Sequence, residues 1–192
     1  MEKSTIKGCK ILLIGGSAGS LEVLIQVLPR LHKFTAFALV IILHRKNSDD
    51  NLLEGLISLK TKIPVKEIED KTPLDPGNIY IAPADYHLLF EKDGLLGLDV
   101  SDKVNYSRPS IDVVFQSAAD AYGDGVVAIL LSGANADGTE GLKTIKAEGG
   151  RVVVQHPATA EMPYMPQYAI DNLEAHYILS PEEIADFING LS

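Results

Sequence analysis

Three runs in this chain are apolar at every position, and they limit the folds open to it. They cover residues 11–14, 36–43 and 126–131. The first is long enough for a buried strand and too short for a helix. Continuous rather than alternating apolarity implies burial on both faces, as in a parallel sheet. Each run also stops at small or polar residues: the first at Gly15-Gly16-Ser17-Ala18-Gly19-Ser20, the second at His44, the third at a loop ending in Asp137-Gly138. After the first, apolar residues recur at helical spacing over 21–28, so the pattern there is strand, tight turn, helix. Glycines at 15, 16 and 19 give the turn backbone freedom, which places Ser17 at the carboxyl edge of the sheet beside free N–H groups of the next helix.

The rest of the chain extends the same pattern. Residues 29–33 close the first helix. Ser48 is the expected N-cap of a second, with Asp49 and Asp50 in its first turn and Leu52, Leu53, Leu56 and Ile57 on one face. A short strand is expected over 65–68 and another over 79–83, blocked by Pro83. Residues 87–91 and 95–99 read as an antiparallel hairpin turning at Asp93-Gly94, an excursion at the edge of the sheet. Ser110 caps a helix over 111–122 that Gly123 stops. A helix over 139–147, a strand over 152–154 and a Pro/Met loop over 157–166 follow. Then come a short helix, a strand over 176–179 and a helix capped by Ser180 with Pro181, Glu182 and Glu183. The expected fold class is α/β: a three-layer, mostly parallel, doubly wound sheet with an antiparallel hairpin excursion, in a single domain over 1–192.

Composition excludes several functions. With 46% hydrophobic residues a substantial core can form, and no apolar run approaches the ~20 residues that span a bilayer. No signal-peptide core follows Met1, so the expected location is cytoplasmic with no stable membrane insertion. A net charge of −9 argues against nucleic-acid binding. Cys9 is the sole cysteine, and the five histidines lack ligand spacing, so neither a disulfide, a metal nor another cofactor is expected.

The turn at Ser17 admits two chemical readings. In one, Ser17 is a nucleophile with backbone N–H groups ready for an oxyanion. In the other, the turn cradles phosphate. The dinucleotide pattern counted from Gly15 fails at Ser17 and Ser20, and no Walker Gly-Lys-Ser/Thr follows. Crevices at the carboxyl edge of parallel sheets bind ligands, and there three strand ends supply Ser17, His44 and Asp137. A hydroxyl needs a neutral imidazole to take its proton and a carboxylate to orient that imidazole; this set offers one of each. Asp137 before Gly138 also fits an ordinary turn. His156, at another strand end, is the rival base, while His87 and His176 sit beside apolar strand residues and suit packing or surface roles.

These residues resemble the catalytic domain of the bacterial chemotaxis protein-glutamate methylesterases (CheB). The resemblance covers about 11–189. It rests on Ile14-Gly15-Gly16-Ser17-Ala18-Gly19, Leu43-His44, Ile79-Tyr80-Ile81-Ala82-Pro83, Arg108-Pro109-Ser110-Ile111-Asp112-Val113-Val114-Phe115, the stretch Gly133 to Gly138, and Met165-Pro166. It implies a serine, histidine and aspartate at Ser17, His44 and Asp137, and a parallel α/β fold distinct from the α/β-hydrolases. The activity implied is hydrolysis of glutamyl methyl esters on a methylated receptor protein, releasing methanol, with glutamine deamidation as the related reaction. Backbone N–H groups of Ala18 and Ala134 would hold the oxyanion. Arg108 would shape the substrate groove or make a structural ion pair.

Three departures from the family pattern stand out. The first strand begins near Lys10, so no receiver domain precedes it; the expectation is a stand-alone member with a separate response-regulator partner. The turn reads Gly19-Ser20 where the family has Gly-Gly. The aspartate loop reads Gly133-Ala134-Asn135-Ala136-Asp137-Gly138 where the family has Gly-Met-Gly-x-Asp-Gly. The alternative they motivate is a catalytically weak or inactive module that binds a receptor or signalling partner.

Overall fold

The computed structural model describes residues 6–45 and 50–192. Seven parallel strands form its central sheet: β1 (Ile11–Gly16), β2 (Ala38–Leu43), β3 (Val65–Glu67), β5 (Ile79–Ile81), β8 (Val126–Leu130), β9 (Arg151–Gln155) and β10 (Tyr177–Leu179). Their order is β10-β9-β8-β1-β2-β5-β3. β1, β2 and β8 are buried along their whole length, as expected for strands covered on both faces.

The two faces follow from alternation along each strand. Leu12 and Ile14 of β1 join Leu39 and Ile41 of β2 under helices α1 (Ser20–Val27), α2 (Asp50–Lys60) and α6 (Pro181–Asn189). Ile11 and Leu13 join Val40 and Ile42 on the opposite face. That face is covered by α3 (Ile111–Tyr122), α4 (Thr139–Ala147) and α5 (Tyr164–Asn172).

Hairpin strands β6 (His87–Phe90) and β7 (Leu95–Asp99) turn at Asp93-Gly94 as expected, with Gly94 left-handed at φ +83°. They are joined by β4 (Thr72–Pro73) and make a three-stranded antiparallel sheet of their own. That sheet buries Leu88, Phe90 and Leu96 in the core shared with α3, so the excursion covers a face of the domain as well as leaving its edge.

Local signals at helix ends are met in detail. Ser110 caps α3 by accepting the Val113 N–H, and Ser180 with Glu183 makes a reciprocal capping box on α6. α5 begins at Tyr164, inside the segment read as a loop. The expected cap Ser48 of α2 and the Asp49 expected in its first turn lie outside the described residues. Of the apolar face expected on α2, Leu53 and Ile57 are buried, Leu56 is half-buried and Leu52 is exposed. No helix among the described residues is long and apolar enough to cross a membrane.

Candidate active site

β1 lies between β2 and β8, and the chain leaves it in opposite directions across the sheet: first to β2, β3 and β5, later to β8, β9 and β10. The loops at the carboxyl ends of β1 and β8 therefore diverge at the switch point where α/β sheets bind ligands. Ser17 follows β1, His44 follows β2, and Asp137 closes the loop after β8.

The turn at Ser17 is fixed by close approach as much as by backbone freedom. Gly15 and Gly16 belong to β1, and neither has a positive φ. What excludes a side chain there is space. A Cβ on Gly15 would stand 2.7 Å from Ile111 Cγ2, and one on Gly16 2.5 Å from Ser20 Oγ. Gly19 is the residue that needs a left-handed backbone, at φ +81°, where it caps α1. The Ser17 N–H donates to the Ser132 carbonyl at 2.9 Å, and Ser132 Oγ donates to the Ala18 carbonyl at 2.7 Å. Ser20, a departure from the family pattern, donates from both its N–H and its Oγ to the Ser17 carbonyl, which braces the turn. Ser17 is half-buried, and its Oγ makes no hydrogen bond among the described residues.

His44 and Asp137 meet. Their Nε2 and Oδ2 atoms lie 2.7 Å apart, with the Asp137 side chain fully buried. The carboxylate is held from several sides. Oδ2 also accepts the Ile111 N–H at 2.6 Å; Oδ1 accepts from the Asp112 and Gly138 N–H groups, Ser110 Oγ and Asn105 Nδ2. Burial alone would raise its pKa. The bonds from His44, Asn105 and the Ile111 and Asp112 N–H groups outweigh burial and hold the carboxyl below its usual range. Two of those donors belong to the first turn of α3, where the helix dipole also favours negative charge.

An ionised carboxylate only accepts hydrogen bonds, so the proton between the pair sits on His44 Nε2. That leaves Nδ1 of neutral His44 as the nitrogen with a free lone pair. The assignment is reversed from the chymotrypsin arrangement, in which Nδ1 faces the aspartate. Ser17 and His44 line one cleft of about 310 Å³, together with Arg45, Leu21, Leu43 and Leu56.

The remaining sequence candidates are distributed as follows. Neither the Ala18 nor the Ala134 N–H donates a hydrogen bond among the described residues. Arg108 is not among the residues lining the cleft. Its Nη1 donates to the Val100 and Ser101 carbonyls at 2.9 and 2.8 Å, and it has no carboxylate partner among the described residues. Arg108 thus braces the segment between β7 and α3, and of its two expected roles the ion pair is not formed among the described residues. The rival base His156 is exposed and accepts the Ala158 N–H on its Nδ1. His87 is buried between the Asp102 carbonyl and the Ser110 N–H. Asn105, Ser110 and Asp112 around Asp137 were not legible as site residues. They lie on a loop and at a helix start with no spacing that links them to it.

A parallel α/β sheet with a hydroxyl, an imidazole and a carboxylate at one edge, in the chain order Ser–His–Asp, defines a class apart from the α/β-hydrolases, whose order is Ser–Asp–His. The family model for CheB methylesterases matches residues 12–188. The chain belongs to the CheB methylesterase family. It is similar to the crystal structure of the Thermotoga maritima CheB methylesterase catalytic domain. The TM-score is 0.89 at 32% identity, covering 94% of this chain and 97% of that one. A Thermotoga maritima relative named protein-glutamate methylesterase/protein-glutamine glutaminase is 33% identical over 97% of this chain. This chain spans 56% of that relative's length. A Leptospira interrogans relative whose name carries the same two activities is 41% identical, with 91% of each chain covered.

Proposed function

We propose that this protein is a serine esterase that hydrolyses glutamyl methyl esters on a chemoreceptor-type protein, releasing methanol. The observation that carries the reading is the 2.7 Å contact between His44 and a buried, ionised Asp137 at the cleft that Ser17 lines. Ser17 Oγ attacks the ester carbonyl while His44 Nδ1 takes its proton. Asp137 fixes the Nε2–H tautomer and stabilises the imidazolium. The tetrahedral oxyanion forms beside the unbonded N–H groups of Ala18 and Ala134; one such donor is typically worth ~3–4 kcal/mol. His44 then protonates methoxide, methanol leaves, and water repeats the sequence on the acyl-enzyme to release glutamate. Glutamine deamidation follows the same path with ammonia as the leaving group.

The chain works in this reading as one catalytic domain in the cytoplasm, with a separate response regulator as its controlling partner. The names of the Thermotoga and Leptospira relatives support the substrate class. Incubation with receptor membranes carrying labelled methyl esters tests it. Volatile methanol is expected from the parent protein and not from Ser17→Ala. Equal release from both would refute the mechanism.

A further inference from the structure

Behind the His44–Asp137 pair lies a second carboxylate, Asp112, and the two cap each other's helices. Asp137, just before α4, accepts the Ile111 and Asp112 N–H groups at the start of α3. Asp112, in the first turn of α3, accepts the Gly138 and Gly141 N–H groups at the start of α4, at 3.0 and 2.7 Å. The reciprocity locks two helix starts together but sets two buried carboxylates side by side, an arrangement in which one tends to hold a proton.

One side chain reaches both. Asn105 Nδ2 lies 2.8 Å from Asp112 Oδ2 and 2.8 Å from Asp137 Oδ1, so each of its two N–H bonds serves one carboxylate. The loop is bent to deliver it. Val104 and Ser107 exchange backbone hydrogen bonds across a two-residue turn whose central residues, Asn105 and Tyr106, both have positive φ, 52° and 63°. Asn tolerates that region; Tyr106, wholly exposed, does not adopt it readily. Backbone held in a disfavoured conformation beside a reactive group is characteristic of functional sites.

We propose that Asn105 is a positioning residue of the hydrolytic site: its amide bridges Asp112 and Asp137, keeps both ionised side by side, and by occupying Oδ1 leaves Asp137 Oδ2 to His44 and the Ile111 N–H. This rests on the esterase reading for its effect on rate and stands on the carboxylate geometry for its effect on protonation. Burial already pushes Asp112 up to about 6, with the charge of Asp137 adding to the rise and the Gly141 and Asn105 bonds opposing it. Without the amide each carboxyl loses a bond that favours its charged form, so Asp112 takes up its proton at higher pH and Asp137 is less firmly held in the charged form that His44 needs. Other titratable groups near the pair are His44 from β2, Lys143 from α4, and His87 from β6 behind the Ser110 N–H.

The test compares the parent protein with Asn105→Gly, which removes the amide but accepts the left-handed backbone, and with Tyr106→Gly, which relaxes the same turn and keeps the amide. Carbon-13 NMR of the aspartate carboxyls against pH reads the pair whether or not any ester is hydrolysed. In Asn105→Gly, proton uptake by Asp112 and Asp137 is expected to move up by about one pH unit. The acid limb of kcat/KM should move with it, kcat falling about tenfold or more with KM nearly unchanged. Tyr106→Gly should titrate like the parent. An unmoved titration in Asn105→Gly, or an equal shift in Tyr106→Gly, would overturn the proposal. A parent that titrates as described but hydrolyses no ester would defeat the esterase reading alone.

Discussion

Ser17 and Ser132 are tied through the backbone, the Ser17 N–H donating to the Ser132 carbonyl at 2.9 Å. The Ser132 hydroxyl adds two further ties: it donates to the Ala18 carbonyl and accepts the Met162 N–H at 2.9 Å. One fully buried serine thus joins the turn after β1, the loop after β8 and the approach to α5. The turn that carries Ser17 is therefore tied directly to the loop after β8. Loops from three strand ends act as one unit.

Ser132→Ala leaves the Ala18 carbonyl and the Met162 N–H without their partner. The expected loss of stability is about 1–3 kcal/mol, read as a lower urea midpoint with an unchanged slope. Ester hydrolysis is expected to fall several-fold, because the turn that carries Ser17 and the loop after β8 lose a tie they share.

Two glycines separate backbone strain from crowding. Gly94 and Gly19 have nearly the same φ, +83° and +81°. A Cβ at Gly94 meets nothing within 4 Å, whereas at Gly19 it would stand 2.7 Å from both Glu161 Cβ and Ser132 Oγ. Gly94→Ala is expected to cost about 1–2 kcal/mol from the left-handed backbone alone, with activity retained. Gly19→Ala is expected to cost more and to abolish hydrolysis. Thermal unfolding together with turnover measures both.

Asp112 gives a pH signature opposite to that of Asp137. Its folded pKa, about 6, lies above the ordinary 3.8, so the folded state binds its proton more tightly than the unfolded chain does. Stability from this group is full below about pH 4 and is lost as pH rises through about 6. Asp137, held low, contributes above the ordinary carboxylate range and loses that contribution as pH falls through its folded pKa. Replacing Asp112 by Asn should remove the decline between pH 4 and 6. Urea midpoints of both proteins across that range measure the difference.

Cys9 is buried, its Sγ 3.6 Å from the Ile11 carbonyl, and burial pushes the thiol up to about 12. Thiolate is the reactive form. Thiol reagents at pH 8 are expected to leave the folded protein unlabelled and to modify Cys9 at once in denaturant.

Much of the architecture was legible because its signals are local or periodic. The apolar runs of β1, β2 and β8, the caps Ser110 and Ser180, and the Asp93-Gly94 turn each state their own conformation. Ser17, His44 and Asp137 could be proposed together because parallel topology gathers strand ends at one edge. What stayed hidden depends on tertiary approach. Gly15 and Gly16 are required by Ile111 and Ser20 standing against them, not by their backbone angles. Leu52 shares the helical period of the buried Leu53 and Ile57 yet faces outward. Asn105 is an unremarkable loop residue until folding places its amide between two carboxylates distant in sequence.

The central claim is that Ser17, His44 and Asp137 operate as one device, and fluorophosphonate labelling reads it most directly. Such a probe marks only a serine whose hydroxyl is activated by a neighbouring base. The parent protein is expected to take up label at Ser17, with labelling slowed by orders of magnitude in both His44→Ala and Asp137→Ala. Labelling of Ser17 in Asp137→Ala as fast as in the parent, or no labelling of the parent at any pH, would contradict the account.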